Sequence, residues 1–241
     1  YFTSDEWNHF LYARILQQIT YIEFQVKPVR DSYKFNGILS KKQTQKRKLK
    51  KQIIYYISQI MSRLGRKKDT FFISTYLPYS KQWQLDWKLG QIPQLRAHVP
   101  ISSSDVNLEK RDWIVELEGR SDFERFSTEI LAQQIPAVYL EGYSSLLLQV
   151  EQTGWPKRPK VIWTSNSQNS DDLFKAYAAE KAEHGSPLII GQHGGHYGVG
   201  LWSFAEDHEC AIADRYFSWG WSEKHQPKIK PLGKLKQRRP L

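Results

Sequence analysis

At 241 residues the chain is large enough for one sizeable core or two modest ones, and 40% hydrophobic with 14% aromatic residues is too much apolar material for a disordered protein. The single cysteine, Cys210, excludes an intrachain disulfide scaffold, and the absence of any run of about 18 apolar residues excludes a membrane-spanning helix. The net charge of +10 sits in two segments, twelve Lys or Arg without an acid from Lys34 to Lys68 and seven more after Glu223; taking these nineteen from 35 leaves 16 basic against 25 acidic residues elsewhere.

In chain order, Ser4 before Asp5 and Glu6 signals a helix start, and Trp7, Phe10, Leu11, Ile15 and Ile19 follow at helical spacing. Lys41 to about Leu64 lacks Gly and Pro and carries an apolar stripe of Ile53, Ile54, Ile57, Ile60, Met61 and Leu64, so it predicts a second helix ended by Gly65. The β-branched and aromatic run from Thr70 to Tyr76 reads as a strand, and residues 79 to 100 as a short helix and a loop. Ser121 with Glu124 three residues on is a capping-box pattern opening a helical stretch through Gln149, with Pro136 as its break. Gly154, Trp155, Pro156 and Pro159 mark the best internal boundary.

Beyond that boundary Lys160 to Thr164 reads as a strand, Asp171 to His184 as a helix ended by Gly185, and Pro187 to Ile190 as a second strand, with another near Phe217. The expectation is an α/β fold: a helix-rich portion over 1–155 with a strand near 70–76, a Rossmann-like βαβ portion over 156–223, and a basic tail or linker over 224–241. Open parallel sheets bind ligands beyond the carboxyl ends of their strands, so Ser165, Asn166 and Ser167 should face the same crevice as the loop from Gly191 to Gly198.

That loop, Gly-Gln-His-Gly-Gly-His-Tyr-Gly, holds four glycines in eight residues, which lets backbone N–H groups approach an anion. His193 and His196 supply groups for base or hydrogen-bond chemistry near neutrality, and Gln192 and Tyr197 add neutral hydrogen bonds. The alternative is a plain turn with packed or solvated histidines. A metal reading of His193, His196, Asp207, His208 and Cys210 is disfavoured because the glycines forbid the helix that a His-Glu-x-x-His site uses, so no metal ligand is assigned. Walker, dinucleotide-fingerprint and Gly-x-Ser-x-Gly patterns are absent. Cys210, in Glu-Cys-Ala-Ile-Ala, reads as a small buried hydrophobe. Glu206 and Asp207 offer carboxylates to a histidine or to sugar hydroxyls, against the alternative of helix capping. The basic segments fit a solvated face, or an attraction to anionic lipid or phosphorylated substrates; without interleaved aromatics they argue against nucleic acid.

Leu140-Glu141-Gly142-Tyr143, Thr164-Ser165-Asn166-Ser167, Ala176-Tyr177-Ala178-Ala179-Glu180-Lys181, Ile190 through Gly198, Leu201-Trp202-Ser203-Phe204, Glu206-Asp207-His208 and Trp219-Gly220-Trp221 together resemble a bacterial family of transferases associated with surface-carbohydrate biosynthesis. Ser4-Asp5-Glu6-Trp7-Asn8 looks like its upstream part, so the resemblance covers all but the basic tail. The Gln-His-Gly core is also similar to the loop of GT-B-type glycosyl and glycerophosphate transferases, whose cleft histidine corresponds to His193. The resemblance implies half of a GT-B-like enzyme that takes a nucleotide-activated sugar or other phosphorylated donor, with no covalently bound cofactor, and a glycan or lipid-linked acceptor. His193 and His196 would be catalytic, and Gln192, Gly194, Gly195, Tyr197, Ser165, Asn166, Ser167, Glu206, Asp207 and His208 would position substrate. The chain begins at Tyr1 and has Met61 as its one methionine, so it is expected to be a piece of a longer protein whose second domain binds the donor nucleotide. The expected location is cytoplasmic, peripheral at the inner membrane face. A non-catalytic module that binds anionic glycans or lipids is the alternative.

Overall fold

A computed structural model describes residues 15–16, 45–96, 99, 101–102, 104–115 and 121–234. The expected helix behind Ser4 lies outside these residues apart from Ile15 and Leu16, which are helical. The chain divides into two units, 1–45 with 107–136 and 46–106 with 137–241.

In the first unit a 3-10 turn at Leu108–Arg111 precedes a helix at Asp122–Gln134. The capping box is present: the Ser121 side chain accepts from the Glu124 N–H, and the Glu124 carboxylate accepts from the Ser121 N–H. At the other end the buried Arg111 donates Nη1 to the Ala132 and Ile135 carbonyls, both at 2.9 Å, satisfying acceptors that a helix C-terminus leaves open. The helical stretch read through Gln149 breaks at Pro136 as expected, because the proline ring disfavours a helical predecessor.

The second unit is a five-stranded parallel sheet with its helices. In chain order these are α1 (Gln45–Leu64), β1 (Phe71–Ile73), α2 (Tyr79–Lys88), a 3-10 turn (Ala137–Tyr139), α3 (Tyr143–Gln152), β2 (Ile162–Thr164), α4 (Ser167–Ser170), α5 (Asp172–Glu183), β3 (Leu188–Gly191), α6 (Phe204–Ile212), β4 (Arg215–Ser218) and β5 (Ile229–Pro231). The strands lie side by side in sequence order, all parallel. One face of the sheet carries the core. Phe71, Ile162, Leu188, Ile190, Tyr216 and Ile229 alternate onto a buried face and share one core cluster with Leu146 and Val150 of α3, Leu173, Phe174 and Tyr177 of α5, and Cys210 of α6. Phe72, Trp163, Ile189 and Phe217 point the other way and are half-buried.

On that second face Trp163 and Phe217 stack across β3, ring centroids 5.2 Å apart at 24°. Gly191 between them makes this possible, because a Cβ there would lie 2.9 Å from Trp163 Cζ2. The sheet takes β1 from before the Gly154 to Pro159 punctuation and β5 from the segment read as a tail. β5 was hard to see in sequence because it is three residues long, bears one buried side chain, and ends in Pro231, which an edge strand tolerates.

Candidate functional site

The connections leaving the carboxyl ends of β1 to β4 meet at one edge of the sheet. After β1, Ser74 and Tyr76 are held at φ 50° and 60°, a left-handed conformation that costs a non-glycine residue about 1 kcal/mol or more and persists only where surroundings fix it. They are fixed by the loop after β2: Ser74 Oγ pairs with Ser167 Oγ at 2.8 Å, Ser74 O accepts from the Ser165 N–H, and Asn166 Nδ2 donates to Tyr76 Oη at 2.8 Å. Ser165 and Ser167 are buried and Asn166 half-buried. Thr164 Oγ1 accepts from the N–H of Asn166 and Ser167, turning the chain into α4.

The Gly191 to Gly198 loop is organised around Gln192. This buried side chain donates Nε2 to the Gly194 carbonyl at 2.6 Å and accepts at Oε1 from the Trp219 N–H at 2.7 Å and Trp221 Nε1 at 2.9 Å. Gln192 thus ties the loop after β3 to the loop after β4. At the far end Gly198, at φ 75°, donates its N–H to Glu206 Oε2 at 2.7 Å, and a Cβ there would strike the Trp221 indole at 2.6 Å. The N–H groups of Gly194 and Gly195 bond to no acceptor among the described residues.

His193 faces inward with Gln192 and Tyr197, and what it meets is Glu209. Ala205, Glu209 and Ala213 share the inward face of α6 and its continuation, so a fully buried carboxylate lies beneath the loop. Glu209 Oε1 accepts from Gln168 Nε2 at 2.9 Å, Asn169 Nδ2 at 3.3 Å and Tyr197 Oη at 3.3 Å, and Tyr216 Oη reaches Oε2 at 3.5 Å. His193 Nδ1 is 3.4 Å from Oε1, an ion-pair distance without hydrogen-bond alignment. Burial pushes the Glu209 carboxyl above the ordinary carboxylate range, while His193 and the amide and phenol donors pull it back. Burial, reinforced by Glu209, also raises the Tyr197 and Tyr216 hydroxyls far above the phenol range, so both remain donors. The Cys210 thiol, pushed up to about 11 by burial, is no nucleophile at neutral pH.

Ser165 Oγ, Gln168 Oε1, His193 Nδ1 and Trp219 Nε1 are all buried without a hydrogen-bond partner among the described residues. Orphaned polar atoms are rare in a folded interior, and four of them gather at this edge. Lys234 Nζ lies 5.4 Å from the centre of the Trp219 ring, whose edge borders Gly195.

The other expected site residues are placed differently. His196 is exposed and packs edge-on against Tyr197 at 4.3 Å. Glu206 is occupied with Gly198 and with the start of α6, where its N–H donates to Ser203 Oγ. Asp207 and His208 are exposed on α6 and make no side-chain hydrogen bond or ion pair among the described residues. Glu209, Gln168 and Asn169 were missed by sequence reasoning, although an acid spaced four residues from Ala205 and Ala213 was a usable signal for Glu209. No three His, Cys, Asp or Glu side chains among the described residues converge as metal ligands. Beside the site Val199, Leu201, Trp202 and Phe204 are 79%, 99%, 78% and 80% exposed, an apolar rim that a soluble surface seldom displays.

No curated protein and no solved structure matches the chain. Residues 1–240 match the family described as LIC12162 family transferase, and on that match the chain belongs to this family of transferases.

Proposed function

We propose that this transferase moves a glycosyl or related phosphorylated group from a nucleotide-activated donor to a surface-glycan precursor, with His193 as general base. The observation that carries the reading is the placement of His193 Nδ1 3.4 Å from the buried Glu209 at the carboxyl edge of a parallel sheet. A carboxylate in that position orients the imidazole and stabilises the imidazolium, leaving Nε2 to take the acceptor hydroxyl proton as the hydroxyl attacks the donor. The unbonded N–H groups of Gly194 and Gly195 are suited to a phosphate whose charge grows as the donor bond breaks. On the adjoining loop the half-buried Asn166 is suited to sugar or phosphate oxygens, with Ser165 and Ser167 buried behind it. The apolar rim supports an amphiphilic, lipid-linked acceptor presented at the cytoplasmic face of a membrane, because tryptophan and leucine next to a polar site suit a headgroup boundary. The GT-B-like likeness of the Gln-His-Gly loop supports a sugar donor.

The experiment is a screen of nucleotide sugars against the full chain, followed by nuclear magnetic resonance. The reading expects a subset of donors to perturb the signals of Gln192 to Tyr197 and, with a lipid-linked acceptor present, to release free nucleotide. Binding at this loop without release from any donor would favour an anionic glycan- or lipid-binding module instead.

A further inference from the structure

At the other end of the sheet, where the strands begin, a cavity of about 900 Å³ opens within the second unit. Its walls come from the end of α1 and the turn after it, the residues leading into β1, β2 and β3, and the C-terminal end of α5. Trp155, Pro156, Pro159 and Tyr177 form buried parts of the lining. Arg63, Arg66, Lys67, Lys157, Arg158 and Lys160 surround it, with Arg96 and Lys181, against the acids Asp69, Glu151 and Glu180. Among the described residues Lys181 is the one cation of this group that has an ion pair, with Glu180 at 2.7 Å.

Arg96 departs from a solvated cation. Its guanidinium lies over the Phe71 ring at 4.2 Å, Nε donates to the Phe72 carbonyl, and Nη1 is buried with no acceptor among the described residues. Burial depresses its pKa to about 10, so the charge is held where water serves it poorly. An ordinary fold would pair such a group or let it reach solvent. A concave site ringed by cations most of which have no ion pair among the described residues, with Arg96 in its wall, has the chemistry of an anion site. Its volume is that of a small-molecule pocket rather than of a single ion.

We propose that this cavity is a second ligand site, distinct from the His193 crevice, that binds a phosphate-bearing molecule of nucleotide size through Arg96 and the cations from Arg66 and Arg158. The shared chemistry is a phosphate ester or diphosphate, whether carried by a soluble metabolite or by a lipid headgroup. The site does not depend on the transferase mechanism proposed above, because its lining shares no residue with the His193 crevice.

The test titrates the full chain with inorganic pyrophosphate by calorimetry at low salt. The double variant Arg66→Gln with Arg158→Gln is compared with Lys81→Gln plus Lys88→Gln, which removes the same charge from α2. The Arg66 and Arg158 side chains make no hydrogen bond among the described residues, so the first variant should fold, and its thermal midpoint checks this; Arg96→Gln serves as a further variant. The proposal expects affinity to fall roughly ten-fold or more in the cavity variant, to stay unchanged in the α2 control, and to survive His193→Ala. Absence of pyrophosphate binding, or an equal loss in both double variants, overturns it by reducing the effect to diffuse charge. A parallel arm measures binding to phosphatidylglycerol-containing vesicles: displacement of the protein by pyrophosphate assigns a headgroup, and failure to displace it assigns a soluble phosphate.

Discussion

Glu209→Gln separates what the buried carboxylate costs the fold from what it gives the chemistry. Four of its five polar neighbours address Oε1: Gln168, Asn169, Tyr197 and His193, with Tyr216 alone near Oε2. A glutamine keeping its carbonyl at Oε1 preserves these acceptances and places its NH2 toward the Tyr216 oxygen. The carboxyl of the wild-type protein is pushed upward by burial, so its folded-state pKa lies above its unfolded value. Such a group contributes stability that is fully present at low pH and is lost as the pH rises through the folded value. Above that folded value the carboxylate is a liability that the amide lacks. The variant should gain stability relative to the wild type as the pH is raised from mildly acid to alkaline buffer, and lose that advantage as the pH is lowered again. Turnover should behave oppositely. Without a negative charge to stabilise the imidazolium, kcat/KM should drop about 10²- to 10⁴-fold, which is about 3 to 5 kcal/mol of transition-state stabilisation. Scanning fluorimetry across that pH range reads the first effect, and nucleotide release from the donor identified by screening reads the second. A variant that keeps turnover within about three-fold would refute the role assigned to Glu209.

Three further perturbations probe the scaffold of the site. Gln192→Ala strands the Trp219 N–H and Trp221 Nε1 and should cost about 2 to 4 kcal/mol in urea denaturation, with a change in tryptophan emission. Gly191→Ala drives a methyl into Trp163 Cζ2 at 2.9 Å and Ser165 Oγ at 3.0 Å, and should destabilise by about 1 to 3 kcal/mol while displacing the Trp163 and Phe217 stack seen in near-ultraviolet dichroism. Leu201→Ser with Trp202→Ser, both highly exposed, should leave stability within about 0.5 kcal/mol yet raise KM for a lipid-linked acceptor and not for a water-soluble analogue; equal KM values for the two acceptors would remove the rim from substrate binding.

Much of the second unit is legible in the sequence because its signals are local. The β-branched runs at Val161 to Thr164 and Pro187 to Ile190, the Asp171 cap and the Gly185 stop each act within a few residues, and the observed elements fall within one or two residues of them. The loops after β2 and β3 are brought to one edge because parallel strands require it. Glu209 was obscured by its neighbours Glu206 and Asp207, which make a charged run look solvated, and only packing beneath the loop reveals which acid turns inward. Gln192 looks in sequence like a ligand contact; its role in joining two loops depends on Trp219 and Trp221, which are 27 and 29 residues away.

The central claim is that His193 removes the acceptor proton, and the most direct measurement is acceptor-dependent nucleotide release by the wild type and by His193→Ala, each first shown to bind the donor. The account predicts unchanged donor binding with release reduced at least about 100-fold in the variant. Release at the wild-type rate by His193→Ala would contradict it.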